Sequence, residues 1–270
     1  MLQYASLNHT LTISSMNFRI FKPDEAADYI SQLVKNTGLP RDQFDHKLPH
    51  ILRGIGQVIS GRMPLRRAWR GLHGFYVAAE DSRSDARLGI KTGGFDLQLL
   101  RDKSLFKDMV PYMPTPYRYI TPILEDLALC ADDVLVDVGS GKGRLALAAA
   151  AAFSLRRIDG LEIEQGYVDM ARNNLVCAQG LKSPVHFHRA DAACWDFLDA
   201  TAVFLFNPFG ERTLGKMLEN LESSRRSSPR TLRIAYFNPV HRQLLERAQW
   251  LEAAESSNPS TYMLWRSRKV

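Results

Sequence analysis

A glycine-rich turn between two apolar runs is the feature of the sequence that most suggests chemistry. Residues 136–150 read VDVGSGKGRLALAAA, so Gly139, Gly141 and Gly143 lie between a strand-like run and an alanine-rich helical run. Turns of this kind, between a strand and a helix, are typical of sites for nucleotide-like ligands. The spacing of the glycines and the types of the neighbouring residues therefore have to show which class of ligand the turn would bind.

Two phosphate-binding patterns do not fit this turn. A nucleoside-triphosphate loop needs a hydroxyl residue directly after its lysine, whereas Lys142 is followed by Gly143. A dinucleotide site needs a small residue at its third glycine position, because the helix and strand pack closely there. That position is Arg144 in this sequence. The spacing therefore disfavours both ligand classes.

Four polar residues stand at the ends of consecutive strand-like runs: Asp137, Glu162, Asp191 and Asn207. Ligands of open α/β sheets bind at the carboxyl ends of the strands, so we expect these residues to line one pocket. Asp137 suits a cationic ammonium group, Glu162 a pair of ribose hydroxyls, and Asp191 an adenine amino group. The set indicates the cofactor S-adenosyl-L-methionine (SAM), although helix capping is an alternative role for Glu162 and Asp191.

The elements that position these residues begin at Val134. Near-continuous apolar runs alternate there with helical patterns, which is typical of parallel βαβ units buried on both faces. The last two extended runs, around 250–256 and 261–268, have no room for a helix between them and predict an antiparallel hairpin. The expected fold is α/β and Rossmann-like: a doubly wound, mostly parallel, seven-stranded sheet with that hairpin at its edge.

The first part of the chain has a different texture. Helical patterns at 24–36 and about 62–79 predict that residues 1–110 form a mostly helical N-terminal cap, leaving 111–270 as the second domain. A connector with three prolines, MVPYMPTPYRY, would lay the cap against the sheet. We expect this cap to help select whatever the second domain acts on.

The sequence resembles the class I SAM-dependent methyltransferases, whose acid-x-GxGxG pattern and two later acids match Asp137 to Gly143, Glu162 and Asp191. More narrowly, it is similar to a bacterial subgroup of unassigned substrate. The segments that carry this similarity are GIKTGG (89–94), PTPYRY (114–119), GSGKGR (139–144), FNPFG (206–210) and NPVH (238–241). The resemblance begins near residue 85. It implies methyl transfer from SAM and leaves the acceptor open.

The expected cofactor site follows from the strand ends, the turn, the residues after two of the acids, and the connector. It comprises Asp137, Gly139, Ser140, Gly141, Gly143, Glu162, Ile163, Asp191, Ala192, Asn207, Tyr112 and Thr115. The candidates for the chemistry are Asn207, Tyr117 and His241.

Each candidate for the chemistry has its own argument. Asn207, Pro208 and Phe209 resemble the [DNS]PP[YFW] motif of amine-methylating enzymes, with the second proline missing. His241 could act as a general base or simply begin a helix. Tyr117 lies in the connector that is expected to pass over the pocket. Lys142 and Arg144 are expected to face solvent.

The sequence leaves several classes of methyl acceptor open. N-methylation of a protein side chain or small molecule is favoured, while a nucleic-acid methyltransferase or a non-catalytic SAM-binding regulatory protein stays open. The net charge of +6 permits a nucleic-acid partner, as does a basic helix face at Arg62, Arg66 and Arg70.

His186 and His188 lack a third ligand nearby, so no metal is expected. No apolar run suits a membrane span and the first residues do not resemble a secretory signal, so we expect a cytoplasmic protein.

Overall fold

The computed structural model describes residues 65–93 and 112–268. The helix expected at 24–36 and the side chains of the basic helix face lie outside the described residues. Six helices are present in the described part: α1 (Leu65–Leu88), α2 (Tyr117–Asp126), α3 (Arg144–Ala152), α4 (Gln165–Cys177), α5 (Glu211–Ser227) and α6 (Arg242–Arg247). Its strands are β1 (Val134–Val138), β2 (Arg157–Glu162), β3 (Val185–Arg189), β4 (Ala202–Phe206), β5 (Arg233–Phe237), β6 (Leu251–Ala254) and β7 (Tyr262–Ser267).

The seven strands form one sheet in the order β3-β2-β1-β4-β5-β7-β6. Pairings among β1 to β5 are all parallel, whereas β7 runs antiparallel to both β5 and β6. This confirms the predicted Rossmann-like sheet with its antiparallel C-terminal hairpin. The chain order reverses beside β1, since β2 lies on one side of it and β4 on the other. Such a switch point opens a crevice at the carboxyl ends of the strands.

The sheet is covered on both faces, which is why its strands read as unbroken apolar runs. Every residue of β1 is buried. Leu135 faces a core shared with α2, α3 and α4, while Val136 faces a second core shared with α5 and α6. Alternate side chains of the same strand therefore enter different cores. This burial fixes the register of β1, since a one-residue slip would exchange the two faces.

Helix α1 extends farther than the sequence pattern indicated. The predicted helix at 62–79 is instead Leu65–Leu88, and Gly71 and Gly74 lie inside it. It ends where Gly89 adopts a left-handed conformation (φ 75°). The N–H of Ile90 donates to the Asp85 carbonyl at 2.9 Å and that of Gly89 to Ala86 at 3.2 Å. This is a Schellman motif, which satisfies the last carbonyls of the helix.

The assignment of residues 1–110 and 111–270 to two domains stays a prediction, because much of the first segment lies outside the described residues. None of the helices in the described part is long and apolar enough to cross a membrane.

Candidate functional site

A cavity of about 510 Å³ opens at the carboxyl ends of the central strands. This is within the size range of small-molecule sites. Ten of the residues expected to bind the cofactor contribute to its lining: Asp137, Gly139, Ser140, Glu162, Ile163, Asp191, Ala192, Asn207, Tyr112 and Thr115. The sheet thus brings together side chains that are up to 95 residues apart in the sequence, from Tyr112 to Asn207.

The three glycines of the turn all have left-handed backbone angles, with φ of 74° at Gly139, 53° at Gly141 and 85° at Gly143. A Cβ at Gly139 would lie 2.5 Å from the Pro208 side chain. Neither Gly141 nor Gly143 is part of the cavity lining. A Cβ would meet Tyr112 at 2.2 Å from Gly141, and Phe187 at 2.5 Å from Gly143. These two glycines therefore admit neighbouring aromatic rings to the turn.

Asp137 is buried at the end of β1 with 3% of its surface exposed. Burial raises the pKa of its carboxyl, the Ala146 backbone N–H opposes this and the nearby Glu162 charge adds to it, and together they bring the pKa to about 7. A carboxyl held this way gains most from a cationic partner, which would restore its ionised form. The position therefore suits the ammonium group of an amino-acid ligand.

Glu162 at the end of β2 also has its pKa raised by burial, although three backbone N–H groups oppose that rise. Its Oε1 accepts from Glu164 at 3.0 Å and Ile163 at 2.8 Å, and its Oε2 accepts from Gly141 at 3.0 Å. These bonds fix the orientation of the carboxylate and tie it to the glycine turn. Oε2, which accepts a single bond, keeps a further lone pair for a hydroxyl donor.

Two polar groups in the lining differ sharply in their environment. Asp191 is exposed, and its Oδ1 accepts from the Ala193 backbone N–H at 2.9 Å. Ser140 is 7% exposed, and its Oγ is buried without a hydrogen-bond partner in the described part of the chain. A buried hydroxyl with no partner is costly, so a ligand that bonds to it would be favoured.

Part of the cavity lining comes from the ends of β4 and β5 and from the turn before β7. Asn207 and Asn238 follow neighbouring strands and both have left-handed backbone angles, with φ of 41° and 50°. The Tyr236 hydroxyl donates to Asn207 Oδ1 at 3.0 Å. Left-handed residues other than glycine are uncommon and cluster at functional sites. Asn207 is thus held in one orientation where it lines the cavity.

Tyr117 and His241, which were candidates for the chemistry, are not part of the cavity lining. The Tyr117 hydroxyl donates to Asp85 Oδ1 at 2.8 Å. His241 stands at the start of α6, with Nδ1 3.6 Å from Glu211 Oε1. A role for either residue in the chemistry stays a prediction.

The expectation that Lys142 and Arg144 face solvent is wrong. Lys142 is 8% exposed and its Nζ donates to the Gly93 carbonyl at 3.0 Å. Arg144 is 3% exposed, and its Nη1 donates to Asp81 Oδ2 at 2.5 Å. The partners lie in the segment before the sheet, so no helical pattern around residue 144 could reveal them. The signal available was the pair of acids four residues apart, Asp81 and Asp85, just before GIKTGG.

Further lining residues lie beside the expected cofactor site: Phe204, Phe206, Pro208, Phe209, Thr213, Phe237, Asn238, Ser260 and Thr261. Phe206, Pro208 and Phe209 belong to the FNPFG segment singled out in the sequence, and Asn238 belongs to the NPVH segment. The other five were not anticipated. Ser260 and Thr261 enter from a turn, where no periodicity marks them.

The two histidines considered as metal ligands lie on β3, at the edge of the sheet. His188 Nε2 is 2.9 Å from Asp159 Oδ1, and its ring lies 4.7 Å from that of Trp195. Neither His186 nor His188 lines the cavity. Within the described ranges, no cluster of three or more His, Cys, Asp or Glu side chains is arranged to hold a metal ion.

Comparison with known proteins bears on the reaction. Residues 135–224 match a family model described as a methyltransferase domain. A protein-lysine N-methyltransferase of Saccharolobus islandicus is 28% identical over 132 residues, which are 48% of this chain and 81% of that protein.

Solved structures with a similar fold include an RNA methyltransferase of Salinibacter ruber in complex with S-adenosyl-L-homocysteine (SAH) (24% identity, TM-score 0.42, 57% of this chain and 92% of that one). Another is a SAM-dependent O-methyltransferase of Thermotoga maritima (17% identity, TM-score 0.45, 64% and 72%). The methyltransferase-domain match over residues 135–224 and the curated relative indicate that the protein is a SAM-dependent methyltransferase.

Proposed function

We propose that this SAM-dependent methyltransferase binds its cofactor in the cavity at the strand ends and methylates an amine, with a protein lysine side chain as the acceptor. The Saccharolobus relative, a protein-lysine N-methyltransferase, supports the class of acceptor. The five short segments of the sequence support a place in the bacterial subgroup named above. The observation that most directly supports the proposal is the orientation of Asn207, which lines the cavity at the end of β4 and accepts a hydrogen bond from Tyr236.

The part of the cavity lined by the ends of β1, β2 and β3 suits the cofactor chemically. Asp137 would take the ammonium group, Glu162 the ribose hydroxyls and Asp191 the adenine amino group, each at the end of a different strand. Two features of the protein favour such a ligand: the buried Ser140 hydroxyl has no partner in the described residues, and the Asp137 pKa is raised to about 7. A cationic ligand with polar groups would hydrogen-bond to Ser140 and stabilise the ionised form of Asp137.

SAM supplies a methyl group activated by its sulfonium, so the protein chiefly has to align the acceptor and let it lose a proton. Asn207 can do the alignment, since its amide oxygen already accepts from Tyr236 and can accept from an acceptor N–H as well. The neighbouring Phe206 and Phe237 rings, 4.6 Å apart, give this part of the cavity an apolar wall. Such a wall suits the methylene chain of a lysine.

The acceptor class is tested by incubating the full-length protein with tritiated SAM and a lysate of the source cell. We expect label in the protein fraction, and mass spectrometry should place the methyl group on lysine Nζ. A matched lysate whose lysines have been blocked by reductive methylation is the control and should take up no label. Label retained in RNA, or in small molecules, would overturn the proposed acceptor.

A nucleic-acid acceptor is the second candidate because the FNPFG segment resembles the motif of amine-methylating enzymes that act on adenine and cytosine. The same experiment decides it, since nuclease treatment of the lysate would then abolish incorporation. A protein that binds SAM but transfers nothing would give no label in any fraction while still binding SAH.

A further inference from the structure

Arg144 has no part in the proposed chemistry, yet it is one of the most completely buried charges in the described chain, with 3% of its surface exposed. We propose that Arg144 is a positioning residue for cofactor binding: its buried ion cluster with Asp81 and Asp85 holds segment 112–116 in place as one wall of the cavity. This inference rests on the proposed function, because it takes the cavity to be the cofactor site.

The ion cluster joins α1 to the start of α3. Arg144 Nη1 lies 2.5 Å from Asp81 Oδ2, and Arg144 Nε lies 3.6 Å from Asp85 Oδ1. The side chains of the two acids are 11% and 8% exposed. Two carboxylates against one guanidinium leave an excess negative charge, which donors from Thr92 and Tyr117 help to stabilise. Buried charges persist only when they are paired and hydrogen-bonded in this way.

The same cluster holds the residues that face the cavity. Arg144 Nη1 donates to the Thr115 carbonyl at 3.2 Å, and Arg144 Nε donates to Thr92 Oγ1 at 2.6 Å. The Tyr112 hydroxyl in turn donates to the Thr92 carbonyl at 2.7 Å. Asp81 Oδ1 accepts from the Tyr117 backbone N–H at 2.9 Å, at the far end of the segment. Segment 112–116 is therefore held at both ends by groups that Arg144 organises.

Tyr112 connects segment 112–116 to the glycine turn through a direct contact. Its ring packs on Gly141 so closely that a Cβ there would lie 2.2 Å away, and it lies 4.9 Å from the ring of Tyr167. Tyr112, Thr115 and Tyr167 all line the cavity. Without the guanidinium, the two carboxylates would repel each other and draw in water, and the wall would shift. The expected consequence is weaker cofactor binding, with little change in the chemical step once the cofactor is bound.

The test compares the full-length wild type with Arg144→Lys, which keeps the charge but cannot form the forked contacts to Thr92 and Thr115. Calorimetry with SAH should show a rise in Kd on the order of tenfold, since displacements of about 1 Å near a site suffice for such losses. The KM for SAM should rise with it, whereas kcat at saturating SAM should stay nearly unchanged. Thr92→Val, which retains all three charged side chains of the cluster, should shift Kd in the same direction and gives a second measurement if Arg144→Lys folds poorly.

A matched control is Arg233→Lys at the opposite ends of the strands. Arg233 also pairs with a buried acid, Asp133, and donates to the Leu127 carbonyl at 2.9 Å. This variant should lower the melting temperature and leave the Kd for SAH unchanged. A merely structural role for Arg144 predicts the same behaviour, so an unchanged Kd in both Arg144→Lys and Thr92→Val would overturn the inference.

A double-mutant cycle adds a readout that general destabilisation does not move. Tyr112→Phe removes the bond to Thr92 and keeps the ring, so its effect on Kd should be less than additive with that of Arg144→Lys. If the changes in SAH binding free energy were additive, Tyr112 and Arg144 would act independently, which would contradict the proposal that both hold segment 112–116. Wild-type protein that binds no SAH would instead overturn the proposed function, which separates the two failures.

Discussion

At the scale of single residues, Asp137 links the pocket to pH. In the ligand-free protein its pKa is raised to about 7, mainly by burial, and a bound ammonium group would favour the ionised form. SAH affinity should therefore rise as pH increases toward 7 and level off above it, with proton release on binding below pH 7. Calorimetry in buffers of different ionisation enthalpy measures that release. Asp137→Asn should bind weakly and show no such pH dependence.

The same residue should lower the stability of the ligand-free fold. Its pKa is about 7 in the folded protein against an ordinary value of 3.8, so the folded state binds the proton more tightly. The Asp137 contribution to the free energy of unfolding therefore falls as pH rises from about 4 to 7. Asp137→Asn should raise the melting temperature more at pH 8 than at pH 5. An equal shift at both pH values would contradict this assignment.

Asn207 offers a test that separates stability from activity. In Asn207→Gly, glycine relieves the left-handed strain, worth about 1 kcal/mol, while the lost Tyr236 hydrogen bond costs about as much. The free energy of unfolding should change little, whereas kcat should fall at least about tenfold because the acceptor loses its alignment. Asn238→Gly is the matched control, with the same kind of backbone angle at the next strand end. It should be more stable than the wild type and lose less activity.

At the scale of elements, the glycine turn is shaped by what packs on it. Gly141→Ala places a Cβ 2.2 Å from the Tyr112 ring at a φ of 53°, so we expect a loss of stability of about 1–3 kcal/mol and weaker SAH binding. Gly215→Ala in α5 is the matched control, because a Cβ there meets nothing within 4 Å. It should stabilise the protein by up to about 1 kcal/mol. Urea unfolding and calorimetry measure the two effects.

Element order and type followed from the sequence because they rest on local patterns. Apolar runs separated by helical segments predict parallel strands, and the short gap before β7 predicts the hairpin. The sequence pattern predicted an end near residue 79 for α1, nine residues before its actual end at Leu88. Gly89, which ends the helix, is a local signal that was present in the sequence.

At the scale of the whole molecule, cofactor binding should stabilise the folded chain by mass action. SAH at one hundred times its Kd should add about 2.7 kcal/mol to the free energy of unfolding, because the ligand binds the folded chain and not the unfolded one. Urea unfolding with and without SAH measures this gain. The double variant Asp137→Ala and Glu162→Ala should show no gain at the same SAH concentration. An undiminished gain in that variant would place the ligand elsewhere.

The sequence by itself determined the mostly parallel sheet, its C-terminal hairpin and the polar residues at the strand ends, because strand periodicity needs only local information. The strand order and the surroundings of those residues were decided by the tertiary structure. Arg144, whose position in the turn disfavoured a dinucleotide site, proves to be hydrogen-bonded to Asp81, a residue 63 positions away. Tyr117 and His241 do not line the cavity and instead contact Asp85 and Glu211. Contacts between distant segments depend on how whole elements dock, and no spacing along the chain encodes that docking directly.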